Sequence, residues 1–239
     1  MAGRGVSRTQ AEQSPRNRRG EQGGIVSPLL SNLYLPEVLD HGFVQEVEPG
    51  LRGAAQGVRF AEDAVMGFKH QEEAEEVLKR LEERMTQYGL RLHPEKTKRV
   101  DFRPPSGGQD KGSGSFNSLG FCFYWARTRQ GRAVVKLKTA RERLTRKIKE
   151  TGEWLRSHRH EPVAEQQAQL SAKIRGHLQY YGVSFNTKAL ETFVGEVTHR
   201  WRRWLARRGG KTYWSWERMK SFLTTFPLPR PRIIHRLYQ

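Results

Sequence analysis

The chain has 239 residues, of which 36% are hydrophobic and 10% aromatic, a composition typical of a folded protein and not of a fully disordered one. Its 43 Lys and Arg outnumber 25 Asp and Glu, for a formal net charge of +18, and such an excess indicates a polyanionic partner. No apolar run reaches the roughly 18–20 residues that span a bilayer, and the N-terminus lacks a signal-peptide core, so the sequence predicts a cytoplasmic protein without membrane attachment.

The chain begins with a polar segment and a predicted helix. Residues 1–21 are rich in Arg, Gly, Ser and Gln and nearly free of apolar side chains, which predicts a disordered basic arm. Residues 25–39 carry several leucines around a Ser-Pro step, so we predict a helix with Ser27 as its N-cap and Pro28 at its first position. Pro36 is expected to end or kink this helix, because proline lacks the backbone donor.

Two short apolar runs predict a β-hairpin. Residues 57–60 and 64–68 flank Glu62 and Asp63, a pattern typical of two antiparallel strands joined by a polar turn. We expect the hairpin to present both acids at its tip.

The middle of the chain mixes a helix with strands. Residues 72–88 have apolar side chains at helical spacing, and Gly89 follows as a helix stop. Further strands are predicted over residues 90–92, 99–102 and 119–125, with a flexible loop rich in Gly, Ser and Pro over residues 103–115. Residues 22–135 are therefore predicted to form an α+β unit.

The pattern changes to a helical period in residues 136–239. Thr139–Glu142 has the spacing of a capping box that opens a helix. Apolar side chains predict further helices over residues 162–181 and 187–208, and three prolines near the end predict an extended segment. This part has 23 Lys and Arg against 8 Asp and Glu, so it carries most of the excess positive charge.

Several segments, taken in order, resemble a known family. Four of them look like the later palm motifs of group II intron reverse transcriptases: Gln22–Asn32, Val58–Asp63, Gly89–Thr97 and Phe116–Phe121. Three more resemble the maturase-specific domain that serves as the thumb in this family: Arg175–Gly182, Trp201–Trp204 and Leu228–Arg232. Any one motif alone is a weak signal, but their order is specific. The resemblance implies an α+β partial palm over residues 22–135, an antiparallel sheet with helices, followed by an all-helical, basic thumb domain over residues 136–239.

The resemblance also implies roles for particular residues. Glu62 stands where the family has a metal-binding Asp, with Asp63 beside it, and two-metal polymerisation needs rigidly held carboxylates. These two acids are the candidate catalytic and Mg²⁺-binding residues of a vestigial site; the alternative is that they are ordinary acids of a hairpin turn. A nucleotide-pocket-like segment comprises Gln22, Gly23, Gly24, Ser27 and Pro28, and a primer-contacting turn comprises Leu119, Gly120 and Phe121.

The sequence departs from the family at two points. Glu62 adds a methylene to the expected Asp, and a small misplacement of a catalytic group costs much rate. The family's fingers and its first palm motif, which supplies another metal-binding Asp, are expected before Gln22 and are not recognised there. We therefore expect a chain equivalent to the C-terminal half of an intron-encoded protein, with polymerase activity lost.

Two groups of basic residues are the candidate RNA-binding surface. From Arg200 to Lys211, six basic residues are uninterrupted by an acid, whereas an ordinary solvated helix face mixes both signs. The nearby tryptophans are expected to pack in the core more than to stack on bases. The candidate residues are Lys136, Lys138, Arg141, Arg143, Arg146, Lys147, Arg200, Arg203, Arg207 and Arg208.

These observations predict a maturase that binds structured group II intron RNA and stabilises its splicing-competent form. Mg²⁺ is expected to belong mainly to the RNA and to bind Glu62 and Asp63 only weakly. Three alternatives remain open: a polymerase completed by a separate fingers and palm polypeptide, a nonspecific binder of RNA and DNA, and a remnant without function.

Overall fold

The computed structural model describes residues 27–107, 111–208 and 214–237. The chain divides into two compact units, residues 1–93 and 94–239, called here the N-terminal and C-terminal units. The described residues form two small antiparallel sheets and six α-helices, with the helices concentrated in the C-terminal unit, so the predicted α+β fold class is confirmed. The predicted arm over residues 1–21 lies outside the described residues.

The N-terminal unit begins with helical segments. Helix α1 covers Ser27–Leu35, and a π-helical segment, Pro36–His41, continues from it. The regular α-helix therefore stops at Pro36, as predicted. A second π-helical turn, Phe43–Val47, and a short 3₁₀ turn, Glu48–Gly50, lead toward the hairpin.

The hairpin and one long helix complete this unit. Strands β1 (Ala55–Phe60) and β2 (Asp63–Phe68) pair antiparallel, and helix α2 covers Gln71–Gln87. Gly89 has φ +71°, a conformation that suits glycine at a helix end. The hairpin, the helix and its stop are all confirmed.

A small apolar cluster holds the N-terminal unit together. Val38, Leu39 and Met85 are buried in it, and Leu90 and Leu92 pack against it. The strand predicted over residues 90–92 is wrong, because these leucines cover the cluster from an irregular segment and join no sheet.

The C-terminal unit contains a three-stranded sheet. Its strands, in spatial order, are β3 (Lys111–Ser118), β4 (Phe121–Arg127) and β5 (Ala133–Thr139). Leu119 and Gly120 connect β3 to β4 with φ of +50° and +79°, as a two-residue turn of the primed type requires. Leu119 was predicted to start a strand and instead lies in this turn.

Glycines explain why β3 was predicted as a flexible loop. A Cβ at Gly112 would lie 2.0 Å from the Arg103 carbonyl oxygen, and one at Gly114 would lie 2.2 Å from that of Asp101. The glycines thus let a neighbouring segment approach the backbone of β3 closely. That segment contains the strand predicted over residues 99–102, which is wrong because the bulged β3 offers it no regular ladder.

Four helices follow the sheet: α3 (Arg141–Ser157), α4 (Val163–Tyr181), α5 (Thr187–Leu205) and α6 (Trp216–Thr225). The helical predictions are confirmed, although α5 ends three residues earlier than predicted. The segment after α6 is extended, as the prolines predict, and returns to the helices where His235 donates its backbone N–H to the Gly182 carbonyl. Among the described residues, no helix combines the length and apolarity needed to cross a bilayer.

A buried polar contact joins the sheet to the helices. Asn186 accepts a hydrogen bond from the Thr139 backbone N–H and donates one to the Thr139 hydroxyl, both at 2.8 Å. The predicted capping box at Thr139 is therefore wrong: its side chain is occupied by Asn186, and Ala140 is the residue before α3. The predicted domain boundary between residues 135 and 136 falls within β5.

Candidate nucleic-acid interface

The predicted acid pair lies at the tip of the β1–β2 hairpin. Phe60 pairs with Asp63, so the turn consists of Ala61 and Glu62, and Asp63 is the first residue of β2. Both acids are exposed. Ala61 has φ +51°, a left-handed conformation that is uncommon for a residue with a Cβ.

Arg59 links this turn to the rest of the N-terminal unit through hydrogen bonds. Its guanidinium donates to both carboxylate oxygens of Asp40 at 2.7–3.1 Å and to the Ala61 carbonyl at 3.0 Å. The Arg59 side chain is only 14% exposed, and the hydrogen bonds to Asp40 raise its pKa. A bidentate, charge-assisted contact thus fixes the backbone that carries Glu62.

A site for Mg²⁺ needs several oxygen ligands, carboxylates among them, in a near-octahedral arrangement. Glu62 and Asp63 supply two carboxylates, while the third acid near the turn, Asp40, is held by Arg59. Among the residues that the structure describes, no group of three His, Cys, Asp or Glu side chains could hold a metal ion. The described residues therefore do not make up a complete two-metal site.

The predicted nucleotide-pocket segment is only partly covered. Gln22, Gly23 and Gly24 lie outside the described residues, and Ser27 and Pro28 start α1. The pocket stays a prediction.

The predicted primer-contacting turn is held against α4. The Tyr180 hydroxyl donates to the Leu119 carbonyl at 2.9 Å, and the Phe121 ring lies 5.6 Å from that of Tyr180 and 5.1 Å from that of Tyr181. A Cβ at Gly120 would lie 2.7 Å from the Tyr181 hydroxyl oxygen. Burial raises the pKa of Tyr181.

The predicted cations on β5 have intramolecular contacts. Lys136 donates to the Arg127 carbonyl at 2.6 Å and lies over the Phe185 ring. Lys138 is exposed and lies over the Tyr124 ring. Of these two, Lys138 is the more accessible to a ligand.

The predicted cations of α3 have an acidic neighbour on the same helix. Arg141 and Arg143 are exposed. Arg146 and Lys147 both lie near the Glu150 carboxylate, at 3.7 and 3.4 Å. Such exposed pairs are weak and leave the cations accessible, but they lower the net charge around Glu150.

The predicted cations of α5 fall into two groups. Arg200 and Arg203 lie on the helix, whereas Arg207 and Arg208 follow its end. Arg207 lies over the Trp204 ring, and Arg208 donates to the Glu161 carbonyl. Of these four predicted arginines, Arg200 and Arg203 are therefore the two on the helix.

Arg200 and Arg203 also line a cleft between α3 and α5 that the sequence did not reveal. The cleft has a volume of about 270 Å³ and is lined by Lys149, Gly152, Glu153, Arg156, Arg200, Arg203 and Trp204. The two helices are some fifty residues apart in the chain, so spacing within either one could not predict the cleft. The local feature that could have indicated the cleft is Gly152, a glycine in the middle of α3.

The tryptophans mostly pack, as predicted. Trp201 is fully buried and donates its indole N–H to Gln166 at 2.9 Å. Trp216 differs, since it is 43% exposed and lies beside the Arg202 guanidinium. This surface therefore offers cations for contacts with phosphates more than aromatic rings for stacking on bases.

Two comparisons with protein families agree with this architecture. The family described as reverse transcriptase (RNA-dependent DNA polymerase) matches residues 5–132, more than half of the chain. The family described as group II intron, maturase-specific domain matches residues 141–222, which contain α3, α4, α5 and the first part of α6. The chain therefore belongs to the reverse transcriptase family, as a group II intron reverse transcriptase/maturase. The comparison with curated proteins gives no match.

Proposed function

We propose that this protein binds folded group II intron RNA in the cytoplasm through the cations of its C-terminal unit and thereby assists splicing. The observation that carries this proposal is the coincidence of two features over residues 141–222. The maturase-specific match covers this part, and it combines a closed apolar core with exposed or half-exposed arginines and lysines.

The arrangement of the side chains supports recognition by shape and phosphates. Double-stranded RNA presents regularly spaced phosphates and hides its base edges in a deep groove, so proteins recognise it mostly by its form. Cations fixed on rigid helices suit this task. Trp201 is buried, so its ring is not available to stack on bases.

Polymerase activity of this chain alone is not part of the proposal. Glu62 occupies the position at which the family has an Asp ligand, and it lies exposed at a two-residue turn. Mg²⁺ is assigned mainly to the RNA, with Glu62 and Asp63 as weak ligands at most.

A salt-titrated competition tests the proposed function. The purified protein is offered a folded group II intron RNA from the same source and a scrambled RNA of equal length, in Mg²⁺. We expect a clear preference for the intron RNA at physiological salt. Equal affinity for both RNAs, or for DNA of the same length, together with a steep loss on adding salt, identifies a nonspecific polycation instead. Aggregation before the titration points to a remnant without function.

A second candidate function is a polymerase completed by a separate fingers and palm polypeptide. The ordered Leu119–Gly120 turn, fixed by the Tyr180 hydroxyl, favours it because a primer-contacting turn needs a rigid support. Primer extension with and without that polypeptide tests it, and activity is expected only with both chains.

A further inference from the structure

The cleft between α3 and α5 is built around Gly152. This glycine is buried in the middle of α3, and a Cβ in its place would lie 3.0 Å from Nη1 and 3.1 Å from Cδ of Arg200. Glycine in a helix interior costs stability, and here it gives the Arg200 side chain room to cross α3. The Arg200 side chain thus packs against α3 at Gly152, where it lines the cleft.

Positive charge exceeds negative charge in this cleft. Its lining includes four cations, Lys149, Arg156, Arg200 and Arg203, against the single carboxylate of Glu153. Lys149 lies 3.9 Å from the Glu153 carboxylate and Arg200 lies 3.8 Å from that of Glu196. Arg156 and Arg203 are the cations of the cleft without an ion pair among the described residues.

The guanidinium groups retain unused donors. The buried Nε of Arg200 lies 3.8 Å from the Glu196 carboxylate, beyond hydrogen-bond distance, and has no hydrogen-bond partner among the described residues. Within the same part of the chain, neither Arg156 nor Arg203 has an ion pair or a hydrogen bond to a side chain. Arg156 and Arg203 are exposed, so their guanidinium groups keep donors for an acceptor that enters the cleft.

We infer that this cleft binds a backbone phosphodiester of RNA, an inference that rests on the proposed function. Arginine matches phosphate because its planar fork donates two parallel hydrogen bonds. The volume of about 270 Å³ is near the lower end of small-molecule sites, which suits one phosphate with its attached sugar. Trp204 forms an apolar wall of the cleft beside these cations.

Binding of a labelled ten-nucleotide oligouridylate to the full chain tests the inference. Arg203→Gln and Arg156→Gln are each expected to weaken binding about tenfold, as the loss of a charged hydrogen bond does. Each should also reduce the slope of log binding constant against log salt concentration by the contribution of about one phosphate contact. Arg175→Gln is the matched control, because Arg175 is exposed on α4 and does not line the cleft. It is expected to change affinity less than about twofold, as a peripheral charge does.

Gly152→Ala keeps every charge and tests whether the cleft is a built site. Its added methyl group would lie 3.0 Å from Nη1 of Arg200 and shift that side chain by a few tenths of an ångström. We expect at least about threefold weaker binding while circular dichroism and thermal unfolding stay those of a folded protein. Three results would overturn the inference. The wild-type protein does not bind the decamer, or Arg203→Gln and Arg156→Gln weaken binding no more than Arg175→Gln does. The third is a folded Gly152→Ala protein with wild-type affinity.

The decamer has no intron fold, so the two proposals can fail separately. A protein without preference for folded intron RNA contradicts the proposed function and leaves the decamer result intact. A protein that prefers intron RNA but shows equal losses in the cleft and control variants contradicts only the cleft.

Discussion

In the C-terminal unit, eleven buried side chains from four helices form one apolar core, whereas the corresponding cluster among the described residues of the N-terminal unit contains three. The two units also differ at their sheets. The turn between β3 and β4 packs against the aromatic rings of α4, while Val58 and Phe60 on the β1–β2 hairpin are each 66% exposed. Apolar packing supports the maturase part, and a polar contact, Arg59 with Asp40, supports the turn that carries the acid pair.

The largest expected effect comes from the core of the C-terminal unit. Trp201→Ala removes a fully buried ring and its hydrogen bond to Gln166, so we expect the free energy of unfolding to fall by about 3–5 kcal/mol. Trp216→Ala, at an exposed indole of the same unit, is the matched control and should cost about 1 kcal/mol or less. Urea denaturation followed by circular dichroism measures both. Equal losses would show that Trp201 does not anchor the core.

The next effect concerns the contact between the sheet and the helices. Asn186→Ala leaves the buried Thr139 backbone N–H without its acceptor and also removes the bond to the Tyr181 carbonyl, so a loss of about 2–3 kcal/mol is expected. Asn117→Ala, an exposed position on β3, should change stability by less than about 0.5 kcal/mol. If both variants unfold at the same urea concentration, the Asn186 contact does not stabilise the unit.

A smaller effect is expected in the N-terminal unit. Arg59→Ala breaks the contact to Asp40 and Ala61, and because the Asp40 side chain is 43% exposed, the expected cost is about 1–2 kcal/mol, between the values for surface and buried pairs. Hydrogen exchange of the β1 and β2 amides should accelerate, with the C-terminal unit unchanged.

Arg52→Ala is the control for that experiment. Arg52 pairs with Glu72 at 3.5 Å, but both side chains are largely exposed, so hydrogen exchange in the hairpin should stay at the wild-type rate. Faster exchange in Arg52→Ala to the same degree as in Arg59→Ala would contradict a special role of Arg59 at the turn.

Local patterns predicted most of the elements, and contacts distant in sequence account for the errors. The spacing of Val77, Leu81 and Met85 was enough to predict α2. The residues of β3 have the composition of a loop because Gly112 and Gly114 make room for the backbone of Arg103 and Asp101, nine and thirteen residues earlier. In the same way, Thr139 had the pattern of a helix cap, and its actual partner, Asn186, lies 47 residues away.

In the candidate site, too, local sequence predicted some features, while others depend on contacts distant in sequence. The hairpin tip with Glu62 and Asp63 followed from neighbouring residues, and so did the basic character of α3 and α5. The cleft did not, because it depends on how α3 crosses α5 at Gly152. The pairing of Lys147 with Glu150 could have been predicted, because the two residues stand three apart on a predicted helix.

The core of the C-terminal unit contains a buried histidine whose protonation should make stability depend on pH. The His177 ring stacks on that of Phe193, with 3.8 Å between the ring centroids. Its Nε2 has no hydrogen-bond partner among the described residues. Burial, with a contribution from the positive charge of Lys147, lowers its pKa from 6.5 to about 4. Since the unfolded chain binds the proton more tightly, stability from the neutral ring is full above pH 6.5 and is lost as the pH falls toward 4.

His177→Phe separates this titration from that of the carboxylates. The variant keeps a ring against Phe193 without a site for the proton, so near pH 7.5 we expect an unfolding temperature close to that of the wild type. Between pH 6.5 and 4 the wild-type unfolding temperature should fall more steeply than that of the variant, as differential scanning calorimetry can measure. Parallel curves across this range would mean that His177 takes up no proton on unfolding. In that case the apolar packing that distinguishes the C-terminal unit would not extend to its imidazole.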